Sequence, residues 1–342
     1  MVFKFYFLLI IYFILNIFCK LLYNNCDKEF NLNPNKKLDV LCVGMATYDL
    51  TFTVPRHPNP DEKYFASSYE ECGGGPAANA SIAVSRLGGK AAFSGYLGYD
   101  YFGKIHYDEL IKNSINCNLI SRNKFPTRLS MILAKPDGSR TVVTYEAKTP
   151  FIKKNYLKNL NLNKNKPKTI LFDGHEPEIS LILAKKAKSM SIITILDGGS
   201  VHKGTLTLLP YTDYLVCSEI FAKTYNPSQN LNETLDKLNK IVKNVIITLG
   251  KNGLIWKTNE SSGKLKAYKI NTIDTTGAGD TFHGAFSLGI AQNKELTKNL
   301  IFSSAAAALC CLKIGARSGI PGYKEVEKFI KKNKPLTKTN IN

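Results

Sequence analysis

Short apolar runs alternate with segments of helical periodicity along most of this chain, and that alternation leaves few folds open. Residues 38–43 are almost continuously apolar and lead into Gly44, and comparable runs recur at 91–96, 169–172, 192–196, 214–216 and 245–249. Between several of them, over 77–87, 102–113, 179–189 and 232–243, apolar residues recur at the spacing of one helix face. A strand that is apolar at successive positions is buried on both faces, which calls for helices above and below a mostly parallel sheet. The expected fold is therefore α/β, with right-handed crossovers. Two stretches break the alternation: 50–54 with 63–69, and 128–134 with 140–145 around Lys135-Pro-Asp-Gly-Ser139, a good hairpin turn. They predict a small antiparallel flap over about 50–70 and 126–146, able to close over a ligand and exclude water.

Composition narrows the partners. Lys and Arg number 46 against 27 Asp and Glu, a formal charge of +19 that favours anionic partners. The lysines are spread among asparagines, with no arginine-rich stripe and no aromatic-glycine motif of an RNA-binding sheet, so nucleic acid is not an expected partner. Eight cysteines (19, 26, 42, 72, 117, 217, 310 and 311) show no metal-finger spacing and read as thiols of a reducing, cytoplasmic compartment. Residues 5–18 form an apolar run between Lys4 and Lys20, short of the roughly 20 residues of a full membrane span. A signal core, a membrane tether or a start placed upstream of the working chain all fit it. The expected organisation is a leader at 1–36, one domain at 37–330 and a flexible basic tail at 331–342.

The segment richest in chemistry is Asp274-Thr-Thr-Gly-Ala-Gly-Asp-Thr-Phe-His-Gly-Ala-Phe286, which runs into an apolar helical pattern. Gly277 and Gly279 allow a tight turn, so that successive N–H groups around Ala278 converge at a helix N-terminus, a site for phosphoryl oxygens. Asp280, in the first turn, sits where a carboxylate can take a proton from an attacking hydroxyl, or can simply cap the helix. The length of the block favours the first use.

This block resembles the signature of the ribokinase-like carbohydrate kinases, the phosphofructokinase-B group, and the resemblance extends over about 38–330. It implies a ribokinase-like fold with a β-lid. The implied activity is ATP-dependent transfer of the γ-phosphoryl group to a primary sugar hydroxyl, with Asp280 as base and Gly277, Ala278 and Gly279 as anion hole. Gly73-Gly-Gly-Pro-Ala-Ala-Asn79 resembles the family's first glycine segment, which implies sugar contacts from Gly73, Gly74, Gly75 and Asn79. Asp49, closing Gly44-Met-Ala-Thr-Tyr-Asp, resembles the aspartate that accepts from two sugar hydroxyls. Gly95-Tyr-Leu-Gly-Tyr-Asp-Tyr-Phe-Gly103 matches another family run, in which Asp100 serves the sugar side of the cleft or caps a helix. On the nucleotide side the resemblance implies Thr248, Gly250, Gly253, Thr276 and Gly315, with a monovalent-cation (K+) loop near Gly315.

One departure concerns Mg2+. The family's Asn-x-x-Glu reads Ser218-Glu-Ile-Phe221 here, leaving Glu219 as the replacement ligand. The form of the glycine segment, 196–198, 217–219 and His283 look most similar to the sulfofructose kinase branch, and Lys63, Arg128 and Arg140 are candidates for an anionic sugar substituent. A neutral ketose, ribose or a nucleoside remains open, as does a non-catalytic sugar sensor. The family also implies a homodimer through the lid.

Overall fold

The computed structural model describes residues 38–135, 138–145, 162, 166–227, 230–333 and, for the backbone, 337–341. The leader lies outside the described residues. In chain order the elements are β1 (Val40–Val43), β2 (Thr47–Thr53), β3 (Ser68–Gly74), α1 (Pro76–Arg86), β4 (Ala91–Ser94), β5 (Tyr96–Gly98), α2 (Tyr101–Lys112), β6 (Ser121–Asn123), β7 (Arg128–Ala134), β8 (Arg140–Tyr145) and β9 (Thr169–Phe172). There follow α3 (Pro177–Ser189), β10 (Ile193–Gly198), α4 (Lys203–Leu208), β11 (Tyr214–Ser218), α5 (Glu219–Tyr225), α6 (Leu231–Asn239), β12 (Asn244–Thr248), β13 (Leu254–Lys257), β14 (Ser261–Leu265), α7 (Ala278–Ala291), α8 (Leu296–Cys310), α9 (Tyr323–Lys332) and β15 (Thr337–Ile341).

The main sheet has the order β15-β14-β13-β12-β11-β10-β9-β1-β4. From β12 to β4 every pairing is parallel, and β13 to β15 add antiparallel strands at one edge. The pleat divides the core in two. Val40 and Cys42 face the layer of α1, α7 and α8, whereas Leu41 and Val43 face that of α3, α5 and α6. All four are fully buried, as two covered faces require. Beyond this sheet stands the lid, in the order β3-β2-β7-β8.

Three expectations need correction. The lid is mixed, since its outer pairs are antiparallel but β2 and β7 run parallel, with Asp49 beside Ser130. Its second strand is 68–74 and not 63–69, because pairing with β2 continues through Gly73 and Gly74, opposite Tyr48 and Thr47. Residues 337–341, expected in a flexible tail, pair with β14 from Thr337 opposite Leu265 to Ile341 opposite Ser261. A strand of polar residues is stabilised there by the free N–H and C=O groups of an open sheet edge.

Candidate active site

Two helix N-termini meet at the C-terminal ends of the parallel strands, where open α/β sheets bind ligands. The first belongs to α7. Gly277 precedes it with φ 76°, and a Cβ there would lie 2.3 Å from the carbonyl oxygen of Ala316, so only glycine fits. At Gly279 a Cβ would meet no heavy atom within 4 Å. The turn thus opens onto free space, and the first N–H groups of a helix have no partner inside it. Asp274 secures the turn from below. Its Oδ1 accepts from the Thr276 N–H (2.8 Å) and hydroxyl (2.7 Å), and its Oδ2 accepts from the Gly315 N–H at 2.8 Å.

The second N-terminus is that of α1, led by Gly75 at φ 93°. Asn79 in its first turn donates from Nδ2 to Asp280 Oδ2 at 2.8 Å, while its Oδ1 accepts from Arg317 Nε at 2.8 Å. Arginine only donates, so the amide oxygen must face Arg317 and the NH₂ group must face the carboxylate. Asp280 is thereby fixed by one oxygen. Arg317 is buried with a partner at each nitrogen: besides Nε, Nη1 bonds Glu109 at 2.6 Å, and Nη2 donates to His106 Nε2 at 2.7 Å. Burial, then the neighbouring Arg317 charge, push the His106 pKa well below the ordinary value, which keeps Nε2 free to accept. Glu109 also accepts from the Gly73 N–H at 2.9 Å. A Cβ on Gly73 would come within 2.1 Å of Arg317, and one on Gly74 within 2.0 Å of the Asp49 carboxylate. The glycine segment is bare because charged side chains pack directly on its backbone.

Asp49 is 6% exposed, and its Oδ1 accepts from Thr47 Oγ1 at 2.7 Å. Burial raises its pKa to about 6, against lowering by the Thr47 bond and by Arg317, while the Asp280 charge adds to the rise. The Asp280 pKa is also raised, chiefly by burial; the Asn79 bond, His283 and Arg140 oppose the rise and Asp173 reinforces it. The cleft gathers carboxylates that resist simultaneous ionisation, as acid–base sites commonly do.

Other sequence candidates lie elsewhere. Arg140, considered for a sugar substituent, donates from Nη1 to Thr275 Oγ1 at 2.5 Å, on the loop leading into the Gly277 turn. Arg128 is buried in an ion pair with Glu176 at 2.9 Å, and Lys63 is exposed. Asp100 is a helix cap, accepting from the Gly103 N–H at 2.7 Å. Glu219 pairs with Lys223 at 2.7 Å, and no metal-holding group of three or more His, Cys, Asp or Glu occurs among the described residues. Thr248 Oγ1 donates to the Cys217 carbonyl, and Gly250 and Gly253 form a turn with φ 53° and 94°.

Sequence reasoning missed Arg317, His106, Glu109, Asp173 and Asp197. Asp173 accepts from the Met45, Ala77 and His175 N–H groups and so binds the end of β1 to the start of α1. Its position right after the apolar run 169–172 was the available signal. Arg317 follows Gly315 by two residues, but nothing local shows what it reaches.

Paired helix N-termini around an acid, beneath a sheet lid, define a phosphotransferase acting on a small molecule. The profile of the pfkB family carbohydrate kinases matches residues 37–322. The chain is 28% identical over 294 residues to a ribokinase of Lactococcus lactis, covering 85% of this chain and 97% of the other. It is 27% identical over 289 residues to a probable fructokinase of Arabidopsis thaliana, covering 75% and 88%. A crystal structure of a putative ribokinase from Agrobacterium tumefaciens superposes with a TM-score of 0.81 at 26% identity, covering 87% and 98%. The chain belongs to the pfkB family of carbohydrate kinases, has the ribokinase-like fold and is a sugar kinase.

Proposed function

We propose that this kinase uses ATP to phosphorylate a primary hydroxyl of a sugar, with Asp280 as the general base. The hydroxyl oxygen attacks the γ-phosphorus, its proton passes to the Asp280 carboxylate, and the bond to the β-phosphate oxygen breaks to release ADP. The observation that carries this reading is the 2.8 Å bond from Asn79 to Asp280 Oδ2, which leaves Oδ1 for the substrate proton. Gly277, Ala278 and Gly279 receive charge on the transferring group through backbone N–H groups, so that positioning and electrostatics supply most of the rate. Asp49, the 73–75 glycines and Asn79 hold the sugar. Thr248, Gly250, Gly253, Thr276 and Gly315 form the nucleotide side.

Magnesium would arrive on the nucleotide phosphates and neutralise their charge; Glu219, in a part-exposed pair with Lys223 that is weak enough to open, would be the acid that reaches it through water. Asp274 suits a monovalent cation. It is 1% exposed and accepts three hydrogen bonds, which leaves part of the roughly four-site capacity of a carboxylate. The six described cysteines are free thiols, in keeping with a cytoplasmic enzyme.

The outer face of the lid supports a homodimer. Met131 and Val143, opposite each other on β7 and β8, are 43% and 57% exposed, and Tyr145 beside them is 62% exposed. An apolar sheet face of this kind is an expected interaction surface.

An ATP-dependent screen over ribose, ketoses, anionic sugar derivatives and nucleosides tests the activity. A phosphorylated sugar is the expected product. Phosphorylation of nucleosides alone would make the chain a nucleoside kinase, and no ATP consumption with any substrate would make it a sugar sensor.

A further inference from the structure

His283, on α7 one turn past Gly279, presents both ring nitrogens to oxygen. Nδ1 lies 2.7 Å from the Gly279 carbonyl oxygen and 3.3 Å from Asp197 Oδ2, and Nε2 lies 3.0 Å from the Val216 carbonyl oxygen. A peptide carbonyl accepts and never donates, so each contact requires a proton on the nitrogen facing it. A neutral imidazole has one such proton. It would set a lone pair against one carbonyl at a site only 6% exposed, where an unpaired polar contact is costly.

We propose that His283 is a positioning residue that carries a proton on both ring nitrogens and clamps the first turn of α7, with the anion hole and Asp280, to β10 and β11. Asp274 holds the turn from below, but Gly277 and Gly279 have no side chains to fix its other side, and beyond Gly279 there is open space. The His283 ring ties the Gly279 carbonyl to the main sheet through Val216, and Asp197 is the counter-ion.

The polar groups around the ring are acceptors. Asp197 faces it from β10, raised to about 6 by burial and drawn back by His283. Asp280 on the same helix is likewise drawn down by His283. From β11 the Cys217 thiol is pushed far up, by burial and by Asp197, and stays neutral. Asp173 and His175, beyond β9, act on Asp197, while Arg140 of the lid acts on Asp280. The groups that touch the ring are thus acceptors or carboxylates, and the cations lie behind them.

The role rests on the phosphoryl-transfer reading, but the charge state can be tested without it. The full chain, labelled with nitrogen-15 in its five histidines, is examined by nitrogen NMR. His283 is identified by the signals lost in His283→Asn or, if that variant does not fold, in His283→Gln. Two protonated-type nitrogens at neutral pH are expected, and one lone-pair-type nitrogen would overturn the proposal.

In kinetics, His283→Asn should lower kcat by up to about 10²-fold, the scale of an ångström-level misplacement, with both KM values little changed. Wild-type kcat should fall at alkaline pH as one ring proton leaves, and the variant should lack that fall. A parallel pH profile in the two proteins would overturn the clamp role even if the ring is charged. If no sugar is phosphorylated at all, the catalytic reading fails separately from the charge state.

Discussion

Arg140 reaches from the lid hairpin to Thr275, whose own hydroxyl donates to the Gly138 carbonyl at 3.0 Å. The tip of the lid is thus tied to the loop that leads into the Gly277 turn, and the Arg140 charge is felt at Asp280. We expect Arg140→Ala to lower kcat about tenfold, the lower end of the range for a charge-assisted bond of about 1.5–3 kcal/mol, since this one is exposed. The same loss for neutral and anionic sugars would assign Arg140 to the phosphoryl side. Thr275→Val should reproduce the effect, and the double variant should be no worse than either single one.

Asp280→Asn keeps the Asn79 neighbourhood and the shape of the helix start but cannot take a proton. The expected loss in kcat is roughly 10²–10⁴-fold, with substrate affinities little changed. The folded-state pKa is raised by burial, so the ionised carboxylate opposes folding and stability falls as pH rises through that value. Asn removes this penalty. The thermal midpoint at neutral pH should therefore stay level or increase, and because Asn caps a helix as well as Asp does, turnover is what separates a base from a cap: near-normal kcat would reject Asp280 as the base.

For Asp49 the pH window can be stated. Its pKa moves from an ordinary 3.8 to about 6 on folding, so it contributes stability that is fully present below 3.8 and lost as pH rises to about 6. The proposed sugar contact needs the opposite state, because the carboxylate accepts at both oxygens and so can serve two hydroxyls. Calorimetric affinity for the sugar should therefore strengthen as pH rises through about 6. Asp49→Ala should be insensitive to pH there and weaker by about ten- to a hundredfold, with nucleotide affinity unchanged.

Arg317→Ala leaves the buried Asn79 oxygen unpartnered and takes the cation from part-exposed Glu109, which keeps the Gly73 N–H. Such losses cost about 1–3 kcal/mol, which a denaturant titration resolves. Arg317→Lys should recover only part, since one ammonium cannot reproduce three directed contacts.

If the outer lid face joins two copies, Met131→Glu should convert the dimer to a monomer in light scattering. A wild-type monomer would reject that assembly.

The sequence was most informative where function is written locally. The Gly277–Asp280 turn, Gly75 before α1 and the strand pair 128–134 and 140–145 all lie where their residues place them. It was least informative where distant segments complete one another. Gly73 and Gly74 read as a turn by propensity, yet they end a strand because Arg317 and Asp49 need bare backbone to pack against. Residues 337–341 have no core-facing alternation, and only the open edge of β14 makes them a strand. Arg140 could be placed on the lid but not aimed, because what it meets depends on how the hairpin leans over 275.

The clamp on Asn79 comes from a residue 238 positions later. During synthesis the glycine segment, Asn79 and Asp49 leave the ribosome long before Arg317 exists, and Glu109 and His106 wait with them. Until residue 317 emerges, Asp49 and Glu109 lack the cation they share. The network around Asn79 can therefore close only once residue 317 has been made, and a product truncated before 317 should keep much of the sheet but lack an ordered site.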